Sequence, residues 1–169
     1  MFPAEVKCFP LLFSASRLKT LLFRFSILLF LIIWIYGFLT PILFNTDNHI
    51  YQYLVDRVYS TMCHQDAEKC ILIKNESMLV CARCAGIYFG AFIIGLVSLI
   101  RKQFKINLST IIIMALPLLA DVFLTATGIY VYSQIRAFIT GLIFGSMVYI
   151  IIISELENLL FTRGVRGNE

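Results

Sequence analysis

Charge is scarce in this chain. Asp, Glu, Lys and Arg make up 14% of its 169 residues and apolar residues 60%, against about a quarter and just under a half in a soluble domain. That shortage excludes an ordinary soluble globule. It reads as an integral membrane protein, with residues 1–169 fitting a single membrane domain. The signatures of common soluble enzymes are missing too. The chain has no Gly-rich phosphate loop, no nucleophile elbow and no His-Glu-x-x-His pair. The net charge of +4 does not point to nucleic acid, because Lys and Arg sit beside the apolar runs, where they set membrane orientation.

A cleavage signal is also lacking. The first apolar run, about residues 25–44, is too long for the core of a signal peptide, and no small-x-small site follows it. Residues 1–20, with Lys7, Arg17 and Lys19, read as a short interfacial segment. Four spans are predicted, at about 25–44, 84–100, 107–126 and 134–154, each near the ~20 residues needed to cross a bilayer. Gly86 and Gly90, and likewise Gly141 and Gly145, are four residues apart, a spacing that lets helix backbones approach closely.

Between the first two spans lies the largest polar segment, residues 45–83. Its first part has a helical period, with Tyr51, Leu54, Val55, Val58, Tyr59 and Met62 on one face and Gln52, Asp56 and Arg57 largely opposite. This predicts an amphipathic helix delivering Cys63 and His64 at its end. Residues 65–80 read as a loop or short hairpin. The predicted fold class is all-α: a bundle of four transmembrane helices plus an extramembrane amphipathic helix and a Cys/His loop. With four spans both termini share a side, which carries Lys7, Arg17, Lys19, Arg24, Arg101, Lys102, Lys105, Arg163 and Arg166. The other side carries Arg57, Lys69, Lys74, Arg83 and Arg136. The excess of basic residues at the termini predicts a multi-pass plasma-membrane protein with both termini cytoplasmic and the Cys/His loop outside.

Four of the five cysteines and one of the two histidines fall between residues 63 and 84. Cys63-His64, Cys70 and Cys81-x-x-Cys84 have the spacing of a small metal-binding loop. Two thiolates separated by two residues can face one ion, and tetrahedral zinc would draw its other ligands from Cys63, His64 and Cys70. Because the Cys-x-x-Cys pair opens a helix, its thiols also face the positive end of a helix dipole and ionise more easily. That serves metal binding and redox chemistry alike, so three readings stay open: a metal site, zinc first; a disulfide staple or redox dithiol, permitted outside the cytoplasm; or inert buried thiols. A c-type haem is disfavoured, since Ala85 follows Cys84 where attachment requires His. Cys8 reads as incidental, and His49 as a solvated cap rather than a ligand.

Asp121 is the second signal. An acid inside a span is expensive and usually faces the bundle interior with a partner. Arg136, at the start of the fourth span, lies at the same level across a short turn. The plain reading is an Asp121–Arg136 ion pair. The sharper one makes both line a polar site with the cysteines, surrounded by Arg83, Tyr88, Gln134 and Thr140, in which Asp121 serves as base or as an acceptor behind the metal ligands and Arg136 holds an anionic or lipid-like group. Pro117, one turn before Asp121, frees the carbonyl of Ile113 and can kink the third span.

Cys63-His64-Gln65, Cys81-Ala82-Arg83-Cys84-Ala85-Gly86-Ile87-Tyr88-Phe89-Gly90, Leu116-Pro117 with Asp121, and Arg136 with Thr140-Gly141 and Gly145 together resemble a family of small prokaryotic membrane proteins catalogued as a domain of unknown function. The likeness covers about residues 55–150. Val122 stands where that pattern typically has Gly. The resemblance implies a polytopic membrane protein with a Cys/His motif and supplies no activity. The expected function is therefore a metal site at the outer face, with or without metal-dependent catalysis. The alternatives are a thiol-disulfide protein and a non-enzymatic scaffold with a stapled loop. The bilayer is the one partner the sequence identifies, with the substrate and self-association left open.

Overall fold

The computed structural model describes residues 9–43, 49–63, 65–66, 69–73, 76–100 and 107–159, with side chains of the first helix from Leu18 onward. The elements run α1 (Phe9–Leu43), α2 (His49–Ser60), β1 (Cys70–Ile73), β2 (Glu76–Cys81), α3 (Ala82–Ile100), α4 (Leu108–Ala126) and α5 (Gln134–Glu157). Leu18–Leu43 of α1, together with α3, α4 and α5, are long and apolar enough to cross a membrane. The fold is the all-α membrane bundle that the composition predicts. Among the described residues its one β element is the antiparallel pair β1–β2, with Cys70 opposite Cys81, Leu72 opposite Ser77 and Ile73 opposite Glu76. Met78 and Val80 of β2 are buried while Ser77 is exposed, the alternation expected of a strand with one covered face.

The tightest seam joins α3 to α5. A Cβ on Gly86 or Gly90 would collide with the carbonyls of Phe138 and Leu142, and one on Gly141 or Gly145 with the carbonyls of Arg83 and Ile87. The two glycine pairs face each other's backbones, as their spacing predicts, and lipid offers no comparable contact to a bare backbone. Ala82, Ala85 and Ala137 are fully buried beside them. Ser146 adds a hydrogen bond from its Oγ to the Gly90 carbonyl at 3.2 Å.

Helix α4 packs against α5 and buries a single side chain, Asp121. Ile112, Ile113, Leu116, Leu119 and Phe123 are exposed, as suits a helix facing acyl chains. It runs unbroken through Pro117. Helix α2 forms as the amphipathic helix predicted, with most of its apolar face left uncovered by the bundle. Of the six residues on its apolar face only Tyr59 is buried and Val55 half-buried, while Tyr51, Leu54, Val58 and Met62 are exposed. Tyr59 is its anchor, donating to the Trp34 carbonyl at 2.7 Å and filling the space left by Gly37 of α1. Around it Ile35, Phe38, Cys63, Met78, Val80 and Ala85 form the apolar core of this end of the bundle.

The opposite end is closed by charge. Arg24 of α1 is 3% exposed and forms a two-pronged pair with Glu157 of α5, its Nη2 lying 2.9 Å from Oε2. It also donates to the Ser98 carbonyl of α3. Ser98 Oγ and Tyr149 Oη are 3.3 Å apart. Arg24, counted above as an orientation charge, is thus an interior cross-link between the first and last helices.

Candidate functional site

Three chain segments meet at the other end. The turn after α2, with the Met62 and Cys63 N–H groups both donating to the Tyr59 carbonyl at 3.0 Å, delivers Cys63. Strand β2 ends on Cys81, and the first turn of α3 carries Cys84. The ligand sulfurs of Cys63, Cys81 and Cys84 all lie within 4.8 Å of one another. Three thiolates bound at ~2.3 Å to one tetrahedral ion are about 3.8 Å apart, so the group fits a thiophilic metal after a small closure. Among the described residues these three make the one group of three or more such ligands.

The reason for the convergence is local. Cys81 occupies the N-cap of α3, so its sulfur accepts hydrogen bonds where a capping oxygen normally would. The Cys84 thiol donates to it, as do the N–H groups of Cys84 and Arg83 and the Cys63 thiol, and these donors outweigh burial to hold the Cys81 thiol down at about 5. The Cys81 N–H in turn donates to the Cys63 sulfur at 3.3 Å. Cys70 lies outside the group of three. It is 2% exposed, and burial, reinforced by neighbouring Cys63, Cys81 and Asp66, pushes its thiol up to about 11. All four thiols are free. His64, the predicted ligand beside Cys63, lies outside the described residues.

Gln65 holds this loop in place. Its φ of 47° is the left-handed backbone region, which costs a non-glycine residue about 1 kcal/mol. Its amide donates to the Leu79 carbonyl of β2 at 3.1 Å, which offsets that strain. Gln65 belongs to the Cys63-His64-Gln65 motif, whose residue types alone do not announce this role.

The ion pair at this end differs from the predicted one. Asp121 pairs with Arg83, Nη2 to Oδ2 at 2.6 Å, and its other oxygen accepts from Tyr130 Oη at 2.7 Å. Arg136 does not reach it. Its guanidinium lies 4.1 Å from the Tyr130 ring centroid and donates to the Val131 carbonyl at 2.9 Å. Tyr130 therefore stands between the two residues expected to pair. Arg83, expected among the residues surrounding the site, makes this pair from the first turn of α3, one residue before Cys84. Its Nε is buried with no hydrogen-bond partner. Both Asp121 side-chain oxygens are thus engaged, one by Arg83 and one by Tyr130.

The remaining neighbours tie the turn after α4 to the hairpin. Gln134 donates to the Cys70 carbonyl at 2.8 Å and Tyr132 to the Lys69 carbonyl at 3.4 Å. Burial pushes the Tyr132 hydroxyl up to about 12. Tyr88 stacks in the aromatic cluster with Trp34 and Phe38. Thr140 bonds back to its own helix at the Arg136 carbonyl. Cys63, Cys81, Cys84, Arg83, Asp121 and Tyr130 thus form one connected end of the bundle.

The model of a family described as predicted membrane protein, DUF2085, matches residues 63–151. The chain belongs to that family. Among similar proteins is the Uncharacterized protein MJ1492 of Methanocaldococcus jannaschii, 33% identical over 111 residues that cover 63% of this chain and 70% of that one. No solved structure matches. The DUF2085 match opens on Cys63 and takes in the hairpin, the thiols, Asp121 and the whole glycine seam. Arg24 and Glu157, the pair at the other end, fall outside it.

Proposed function

We propose that this membrane protein binds one thiophilic metal ion, zinc first, through Cys63, Cys81 and Cys84, with His64 as the fourth ligand by its place next to Cys63. One observation carries the reading. Three sulfurs from two segments 18 residues or more apart in sequence lie within 4.8 Å of one another, in a chain otherwise committed to lipid and helix contacts. The thiolate at Cys81 is stabilised before any ion arrives, which lowers the proton cost of ligation. Arg83 and Asp121 fix the first turn of α3 from outside, so the sulfurs are held in place rather than gathered by the ion. If the ion is catalytic it polarises a substrate or activates water, and Arg136, exposed over Tyr130, is the cation that would meet an anionic or lipid-like group.

Basic residues other than Arg24 still favour the side of the termini. This supports a plasma-membrane location with cytoplasmic termini and the thiol end outside, and reporter fusions at both termini test it. The metal reading is tested by elemental analysis of the full chain purified in detergent. About one equivalent of metal should be present, lost in Cys63→Ser, Cys81→Ser and Cys84→Ser and kept in Cys70→Ser. A metal-free wild type, or metal content indifferent to Cys81→Ser, overturns it.

The hydrogen-bonded Cys81 sulfur also favours a second reading, thiol-disulfide exchange. A depressed thiol keeps its charge until the pH falls to about 5. In metal-free protein, alkylation of Cys81 should therefore be nearly as fast at pH 6 as at pH 8, with Cys70 unreacted at both.

A further inference from the structure

Cys70 is the thiol that the three-sulfur group leaves over, yet it is directly opposite Cys81 across the β1–β2 ladder. Directly opposed residues on antiparallel strands point to the same face with Cα atoms about 4.5–5.5 Å apart, within the about 4.4–6.8 Å that a disulfide spans. The ladder shifts register between Cys70 and Leu72, and two hydrogen bonds hold the Cys70 end in place beyond that irregularity. Ala82 N–H donates to the Lys69 carbonyl at 2.9 Å, and Gln134 holds the Cys70 carbonyl from α5. Cys81 is thus the shared member of two sulfur partnerships, one with Cys63 and Cys84 and one with Cys70. A sulfur in a disulfide carries no thiolate charge and is lost as a ligand.

We propose that Cys70 and Cys81 form a disulfide switch that withdraws Cys81 from the metal, the oxidant being a low-molecular-weight disulfide. The inference rests on the metal reading above. Cys81 is half-buried and Cys70 sealed, which sets the order. The Cys81 thiolate attacks one sulfur of the small disulfide, its S–S bond breaks, and one small thiolate leaves. Cys70 then gives up its proton and attacks the Cys81 sulfur of the mixed disulfide, expelling the second small thiolate. The sum is two protein thiols and one small disulfide converted into one protein disulfide and two small thiols. In the loaded protein the metal occupies Cys63 and Cys84, so Cys70 is the neighbour free to complete the exchange. An extracytoplasmic location would let the bond persist.

The test uses full-length protein in detergent, loaded with zinc and treated with oxidised glutathione. Released zinc is followed with a chromogenic indicator and disulfides are mapped by peptide mass spectrometry. The wild type should form Cys70–Cys81 and release its ion with a loss of two thiols. Cys70→Ser should bind zinc as well as wild type, stop at glutathione on Cys81, and recover its ion about tenfold faster when excess reduced glutathione is added, since no internal bond traps the oxidised state. A wild-type bond between Cys81 and Cys84 or Cys63, or equal recovery of zinc by wild type and Cys70→Ser, overturns the switch. The wild-type map decides the pairing even if the variant does not fold. Protein that holds no zinc but still forms Cys70–Cys81 overturns the metal reading and supports the pairing. Zinc-loaded protein that forms no internal disulfide overturns the switch alone.

Discussion

Arg24 and Arg83 each hold a carboxylate, at opposite ends of one bundle, and they hold it differently. Arg24 meets Glu157 with two nitrogens and caps a carbonyl of α3 with a third. Arg83 meets Asp121 with one nitrogen and leaves its Nε without a partner. The first pair joins the two helices that begin and end the described bundle. The second joins the Cys-x-x-Cys turn to α4, a helix with no other buried side chain. Where each guanidinium nitrogen is engaged, the pair closes the helices on one another. Where one is left unused, the pair lies beside three free thiols. Family membership follows this division, since the matched residues contain Arg83 and Asp121 and neither Arg24 nor Glu157.

The strongest way to break the comparison is Arg24→Leu. It strands Glu157 in the bundle, and removing one partner of a buried pair costs about 3–5 kcal/mol. Unfolding in detergent should show that loss, and the double change Arg24→Met with Glu157→Met should recover most of it. Metal stoichiometry should not move in whatever fraction folds. If it does, the two ends are not separable.

Gly145→Leu comes next. It forces a side chain against the Ile87 carbonyl between the two ends, an overpacking expected to cost about 1–3 kcal/mol. Unlike the Arg24 change it should weaken metal retention too, because α3 carries Cys84. Asp121→Asn keeps the shape and removes the charge that anchors Arg83. A stability loss of about 1–2 kcal/mol and a roughly tenfold weaker metal affinity at unchanged stoichiometry are expected. Competition with a chelator measures the second.

Smallest is Gln65→Gly. Relief of the left-handed strain, about 1 kcal/mol, should nearly cancel the lost amide bond of similar size. Gln65→Ala keeps the strain and loses the bond, so it should be the less stable of the two by about 1 kcal/mol. The reverse order would show that the loop conformation costs nothing.

Much of this was legible in the sequence because it depends on short spacings. Four residues between glycines, two between Cys81 and Cys84, and twenty-odd apolar residues in a row each specify a local geometry. The misread partners are set by how one helix is rotated against another. Arg83 and Asp121 are 38 residues apart and Arg24 and Glu157 are 133 apart. Nothing in the spacing of either pair announces it, and Arg136 looked nearer to Asp121 along the chain. Arg24 stood just before the predicted 25–44 span and so looked like an ordinary flanking charge, whereas α1 is helical well before it. The β1–β2 hairpin stood within reach of the alternation of Met78 and Val80 with Ser77, but it was too short to separate from a loop.

Helix α5 touches both ends: Gln134, its first residue, holds the Cys70 carbonyl and Glu157, its last, holds Arg24. Insertion of a single residue into α5 would turn one terminus by about 100° and shift it about 1.5 Å relative to the other, so both attachments could not survive it. The loop Thr127–Ser133 is tied as well, through Tyr130 to Asp121, the Val131 carbonyl to Arg136 and Tyr132 to the Lys69 carbonyl. Length variation among proteins of this architecture should therefore stay out of the last helix and the loop that leads into it.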